Sequence, residues 1–245
     1  MRISILTLFP EVFNFLENYS VLGRAINENK LSLELFNIRE YSTNKHKKVD
    51  DYSYGGGPGM LMASQPIYDA IEAAKGPNSK VIYLSPQGKV LTQEKLVELS
   101  KEEDLIFLNG HYEGIDNRII ENYVDEEISI GDYVLTGGEI ATMVLIDGIS
   151  RLLPGVLSSD ESFQMESHYD GILEYPQYTR PYDFMGHKVP DILLSGDHKK
   201  IELYRRSQAL RATFLKRPDL LKKVKLSRED EKLIEEIKNS LKGGL

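Results

Sequence analysis

Three glycine-bearing stretches carry residue types that a binding site could use: Tyr83-Leu84-Ser85-Pro86-Gln87-Gly88, Asn109-Gly110-His111-Tyr112-Glu113-Gly114, and the run from Ser129 to Glu139. Glycine lets the backbone take φ > 0 and lets a ligand approach main-chain N–H and C=O groups closely. Each stretch follows an apolar run, at residues 80–82, 105–108 and 124–130. In open α/β sheets, ligands bind off the carboxyl ends of strands. The glycines alone equally describe ordinary turns. Three such loops, roughly 25 residues apart, point instead to three neighbouring parallel strands and one shared pocket built largely from backbone. The dinucleotide fingerprint Gly-x-Gly-x-x-Gly is at none of the three turns, which counts against a nicotinamide or flavin site.

The elements that must position these loops follow from periodicity. Residues 3–8 read as a strand, 10–16 and 23–29 as helices, and 31–38 as an alternating strand. A polar, glycine-dense loop spans 41–60. A helix is expected at 64–74, with Ser64 as N-cap and Pro66 in the first turn. Three strand–loop–helix units follow, with helices at 92–100, 116–122 and 140–149. This alternation predicts an α/β fold with a parallel sheet and helices on both faces. Residues 1–157 form the first expected domain, 158–169 a linker, and 170–245 a small helical domain. Its helices are expected at 199–215, 218–223 and 228–241, with Ser227 as cap and Asp230 three places on.

With no cysteine in 245 residues, disulfides and cysteine-ligated zinc or iron–sulfur centres are excluded. The five histidines show no metal-ligand spacing. No apolar run approaches the roughly 18 residues of a membrane span, and the start is not a signal peptide, so a cytoplasmic protein is expected. The net charge of −8 is unevenly spread: residues 1–157 hold 14 basic and 23 acidic side chains, whereas 199–228 hold 11 Lys/Arg against Glu202 and Asp219. That stripe is either a solvated helix face or a nucleic-acid footprint.

Several motifs in chain order resemble the bacterial tRNA (guanine-N1)-methyltransferase family. They are Thr7-Leu8-Phe9-Pro10, Val49-Asp50-Asp51 with Tyr54-Gly55-Gly56-Gly57-Pro58-Gly59-Met60, Gly110-His111-Tyr112-Glu113-Gly114, Ile130 to Glu139, Arg151-Leu152-Leu153-Pro154-Gly155-Val156-Leu157, Tyr178-Thr179-Arg180-Pro181 and Leu194-Ser195-Gly196. The resemblance implies a deep trefoil knot of the SPOUT type, a homodimer, S-adenosylmethionine as methyl donor, and tRNA as substrate, with no DNA and no membrane. The target is the guanosine immediately 3′ of the anticodon. The donor pocket it implies comprises Tyr83, Leu84, Ser85, Pro86, Gly110, Tyr112, Glu113, Gly114, Ile130, Gly131, Asp132, Tyr133, Val134, Leu135, Gly137 and Gly138.

Methylating guanine at N1 requires a base for the N1 proton and a donor for charge developing on the carbonyl oxygen. Where the family has Asp-Ser-Phe, this chain has Glu166-Ser167-His168, so Glu166 is the expected base. Asp160, Glu161 and Asp170 are the neighbouring carboxylates that could replace it. Arg151 is the expected electrophilic partner, and Glu113 would attract the sulfonium or, near Glu166, help hold Mg2+. Ser162, Glu174, Asp50 and Gly59 are assigned to the substrate. RNA phosphates need cations and an unstacked base needs a planar surface. Lys45, His46, Arg180, Arg205, Arg206, Arg211, Lys216 and Arg217 are the expected cations, and Tyr178 the stacking surface. The altered Glu166 motif keeps a second reading alive, a non-catalytic tRNA-binding protein on a methyltransferase scaffold.

Overall fold

A strand covered by helices on both faces must be apolar along its whole length. Leu105-Ile106-Phe107-Leu108 meets that demand, each residue being fully buried. In the computed structural model, which describes residues 1–157 and 166–242, this run is the heart of β6 (Asp104–Asn109). It lies in a five-stranded sheet with β1 (Arg2–Thr7), β2 (Ser32–Asn37), β5 (Lys80–Val90) and β7 (Glu126–Ser129). The order is β2-β1-β6-β5-β7, and every pairing is parallel.

Side chains alternate across a strand, so each strand feeds two cores. On one face Ile3, Ile5, Leu105 and Phe107 pack with α1 (Ser20–Asn27), α3 (Gln93–Leu99) and α5 (Glu139–Ser150). On the other, Leu6, Val81, Ile106 and Leu108 pack with α2 (Ser64–Ala74) and α4 (Asn117–Tyr123). Each large apolar side chain buried this way contributes about 1.5–3 kcal/mol. The parallel sheet with helices on both faces is thus as expected.

Three local expectations differ. Residues 83–88 do not leave the sheet: β5 pairs with β7 on both sides of them, and a register shift between Leu84 and Lys89 absorbs the extra residues. Pro86, which has no N–H to donate to a ladder, sits in that bulge. The helix expected at 10–16 is a 3-10 run, Pro10–Asn18, and α1 begins at Ser20 rather than at Gly23. Gly23 marks a close approach instead, because a Cβ there would lie 2.7 Å from the Glu17 carbonyl oxygen. Ser64 is the first helical residue of α2; Ala63 holds the cap position, with no side-chain capping bond.

The chain forms two compact units, Met1–Asp160 and Glu161–Leu245. The second is built on α6 (His198–Lys216), α7 (Pro218–Leu221) and α8 (Arg228–Lys242), with Ile172, Ala209, Leu210, Ile234 and Ile237 as its core. Its capping box is complete: the Asp230 N–H donates to Ser227 Oγ at 3.1 Å, and the Ser227 N–H donates to Asp230 Oδ2 at 3.1 Å. The later part of the expected linker folds onto this unit, where the His168 N–H donates to the Ile172 carbonyl at 2.8 Å and the Glu174 N–H to Ser167 Oγ at 2.9 Å. Asp160, Glu161 and Ser162 lie outside the described residues. Among the described residues, no helix is long and apolar enough to cross a membrane.

Candidate active site

The bulge within β5 and the loops after β6 and β7 line one cavity of about 340 Å³ in the first unit. Tyr83, Leu84, Ser85 and Pro86 contribute from β5, and Gly110, Tyr112, Glu113 and Gly114 from the loop after β6. Ile130, Gly131, Tyr133, Val134, Leu135, Gly137 and Gly138 come from the loop after β7. Asp132 is the one candidate of this set that does not line the cavity. The loops are stitched together by the Gly138 N–H, which donates to the Gly110 carbonyl at 3.1 Å. Gly110 has no room for a side chain, since a Cβ there would lie 2.7 Å from Tyr83 Oη. Burial, with Glu127 adding to it, pushes the Tyr83 phenol up to about 12, so it faces the cavity as a neutral donor.

Beneath these loops lies a polar cluster that the sequence reading passed over. Glu139, the first residue of α5, is 7% exposed and accepts from Thr7 Oγ1 at 2.7 Å. Its other oxygen lies 3.0 Å from His111 Nε2. A Cβ on Gly137 would come within 2.2 Å of that same nitrogen, so the third loop rests its backbone directly on the pair. Alongside, Asn109 Nδ2 donates to the Leu6 carbonyl at 2.9 Å, and Thr142 Oγ1 donates to Asn109 Oδ1 at 2.7 Å. The available signal was that Thr7 and Asn109 are polar residues closing otherwise apolar strands. Buried polar groups require partners, and each has one here.

The long glycine-dense loop joins the cavity. It contains the short antiparallel pair β3 (Asp50–Asp51) and β4 (Leu61–Met62). The Glu113 N–H donates to the Met60 carbonyl at 3.0 Å, and the Met62 N–H to the Gly114 carbonyl at 2.9 Å. Gly59 sits at φ +80°, where a Cβ would be 2.4 Å from Glu113 Cγ. Asp50 pairs with Met62 across the hairpin. Gly59 and Glu113, assigned separately to substrate and donor, are therefore in contact. Lys45 and His46 are exposed on the same loop. Arg151 caps the end of α5, its N–H donating to the Asp147 carbonyl.

In the second unit, Glu166 is half-buried. Glu174 accepts from Gln177, and Tyr178 is half-exposed. Arg206 is committed to the fold: it donates to Asp230 Oδ1 at 2.8 Å and Oδ2 at 3.0 Å, and to Asp170 at 3.0 Å. Hydrogen bonds from Arg206, then from Ser227, outweigh the opposing effect of burial and hold the Asp230 carboxyl at about 2. Arg217 is likewise paired with Asp219. Arg205 lies 5.0 Å over the Tyr175 ring. Arg180, Arg211 and Lys216 are exposed. Among the described residues, no group of three or more His, Asp or Glu is placed to hold a metal ion.

Comparison with known proteins bears on what this arrangement serves. The sequence family described as tRNA (Guanine-1)-methyltransferase TrmD matches residues 1–223. The chain is 59% identical over 235 residues to a tRNA (guanine-N(1)-)-methyltransferase of Clostridium perfringens, covering 96% of this chain and 99% of that protein. Proteins of the same description from Ruminiclostridium cellulolyticum and Clostridium botulinum are 60% identical over 227 residues and 54% over 242. These alignments cover 91% and 98% of this chain, and 97% and 100% of the relatives.

Proposed function

This chain belongs to the tRNA (guanine-1)-methyltransferase family, and on that premise we propose that it methylates tRNA at N1 of the guanosine immediately 3′ of the anticodon, with S-adenosylmethionine as donor. The observation that carries the reading is the convergence of the β5 bulge and the loops after β6 and β7 on one cavity, in a chain matched to the family over residues 1–223. When bound, the donor supplies the methyl group. Gly110 and Gly138, where a Cβ would meet Tyr83 and Asn109, let the two loops close on each other and so shape the wall that receives it. Glu113 places a carboxylate at the cavity wall, where a positive sulfonium is favoured.

Glu166 takes the N1 proton, and Arg151 offers its guanidinium to the charge that develops on the guanine carbonyl oxygen. Lys45, His46, Arg180, Arg211 and Lys216 contact phosphates. Mg2+ usually binds through only one or two carboxylates and keeps several waters. Glu113 would serve as such a ligand, and no step above depends on the ion.

The same reading includes a cytoplasmic homodimer and a deep trefoil knot through the cavity loops. For the dimer, Ile140 and Val144 leave a 57% and 44% exposed apolar edge on α5. Val12 and Phe15, on the 3-10 run after Phe9, are further exposed apolar side chains of the first unit. Apolar surface of this kind marks an association face.

Incubating the protein with tritiated S-adenosylmethionine and a tRNA transcript tests the assignment. Label is expected in the transcript and absent when the guanosine 3′ of the anticodon is changed to adenosine. Binding of the tRNA without any transfer of label would establish the non-catalytic reading instead.

A further inference from the structure

We propose that Tyr52 and Tyr54, at the tip of the β3–β4 hairpin, form a stacking platform for an unpaired base of the tRNA that flanks the methylated guanosine. This rests on the reading of the chain as acting on tRNA, and neither residue has been given a role above. The two rings are 78% and 99% exposed. A tyrosine ring fully in water gains nothing for the fold, whereas in a complex it offers a large planar surface at little rotamer cost.

The tip that carries them is built, not slack. The Asp50–Met62 pairing closes the hairpin base, and the Ala63 N–H donates to the Val49 carbonyl at 2.8 Å. Nearer the tip, the Gly56 N–H donates to the Ser53 carbonyl at 3.3 Å, and Ser53 Oγ donates to the Gly56 carbonyl at 3.2 Å. Holding the backbone that carries the rings in place before binding lowers the entropy lost on complex formation. The hairpin also rises from the rim of the donor cavity, because Gly59 and Met60 meet Glu113 there.

Charge complementarity decides the kind of partner. Lys45 and His46 are exposed just before β3, whereas Lys48 is paired with Asp51 at 3.4 Å. Arg118 at the start of α4 is 70% exposed but paired with Asp116, to which it donates at 2.9 and 2.6 Å, so it adds no free charge. Aromatic rings among cations are the arrangement that tracks single-stranded nucleic acid, the cations meeting phosphates while a base stacks on the ring. A protein partner would need a wider apolar surface, but the residues around the two tyrosines are Asp51, Ser53, glycines and Pro58. Bases within a duplex are already stacked, so the occupant must be an unpaired nucleotide, as an anticodon loop supplies.

Direct binding of an anticodon stem-loop RNA to the full chain, by fluorescence anisotropy, tests the platform. The double variant Tyr52→Ala/Tyr54→Ala is expected to bind the RNA about tenfold more weakly than the wild type. Its thermal midpoint and its affinity for S-adenosylmethionine should stay the same. Tyr52→Phe/Tyr54→Phe should bind as the wild type does, because the ring and not the hydroxyl makes the contact. Removing the base of one nucleotide flanking the target guanosine should weaken the wild type by a similar factor and the alanine variant no further. Unchanged RNA affinity in the alanine variant, or equal abasic penalties at both flanking positions in the two proteins, would overturn the proposal. Failure of the wild type to transfer methyl groups would sink the enzymatic reading alone, since the binding comparison still decides the platform.

Discussion

Glu139 Oε2 and His111 Nε2 lie 3.0 Å apart at the point where the exits of β1, β6 and β7 meet. Glu139 is buried and shared between His111 and Thr7, and the Gly137 backbone packs on the pair with no space to spare. The contact therefore holds two of the three cavity loops at a set separation, and His111 itself lines the cavity.

Replacing His111 with Ala leaves Glu139 with one partner fewer in a buried setting, a loss of roughly 1–3 kcal/mol. We expect a lower thermal midpoint and a dissociation constant for S-adenosylmethionine about tenfold higher, measured by calorimetry, with RNA affinity unchanged. Equal weakening of both ligands would indicate general damage to the fold rather than loosening of these loops.

Glu166→Gln keeps the shape of the side chain and removes its basicity. Losing a positioned general base typically lowers rate by about 10²- to 10⁴-fold, so single-turnover methyl transfer should fall by that order while both ligands still bind. Transfer at the wild-type rate would pass the role to another carboxylate, with Asp170 the next to replace.

Gly59→Ala forces a Cβ to within 2.4 Å of Glu113 Cγ at a φ of +80°. The conformation alone costs an L-residue roughly 1–2 kcal/mol, and relief of the clash must push Glu113 away from the hairpin. Methyl transfer should drop well beyond what the small loss of stability explains. Activity and thermal melts recorded on one preparation make the comparison.

Asp230 titrates at about 2 in the folded chain, below the roughly 3.9 of an unfolded aspartate. Its contribution is therefore fully present above about pH 4 and is lost as the pH falls through 2. Asp230→Asn should destabilise the chain by about 1–3 kcal/mol at neutral pH. It should also flatten the fall in stability between about pH 4 and 2. Urea titrations followed by circular dichroism at several pH values read both effects.

Much of the first unit was legible because its signals are local. The fully apolar run Leu105 to Leu108 reads as a strand buried on both faces, and two of the three glycine loops follow strands, β6 and β7. Ser227 and Asp230 announced the start of α8 three residues apart, since a capping box is satisfied within one turn. Where the reading slipped, the cause was a contact that periodicity does not show. Gly23 looked like a helix start but exists to admit the Glu17 carbonyl from the preceding turn. The Pro86 segment looked like a loop because its pairing to β7 spans some 40 residues.

By itself, then, the order of amino acids determined the alternation of strands and helices, the segments that line the cavity and the family to which the chain belongs, all properties written in short windows or in long runs of shared motif. Only the tertiary structure decided that Glu139 meets His111 and Thr7, that Gly59 touches Glu113, and that Arg206 is held by Asp230 and Asp170 rather than left open to a phosphate. The reason is that a buried charge takes whichever partner folding brings within about 3 Å, and no spacing along the chain encodes a meeting between residues 24 to 132 positions apart.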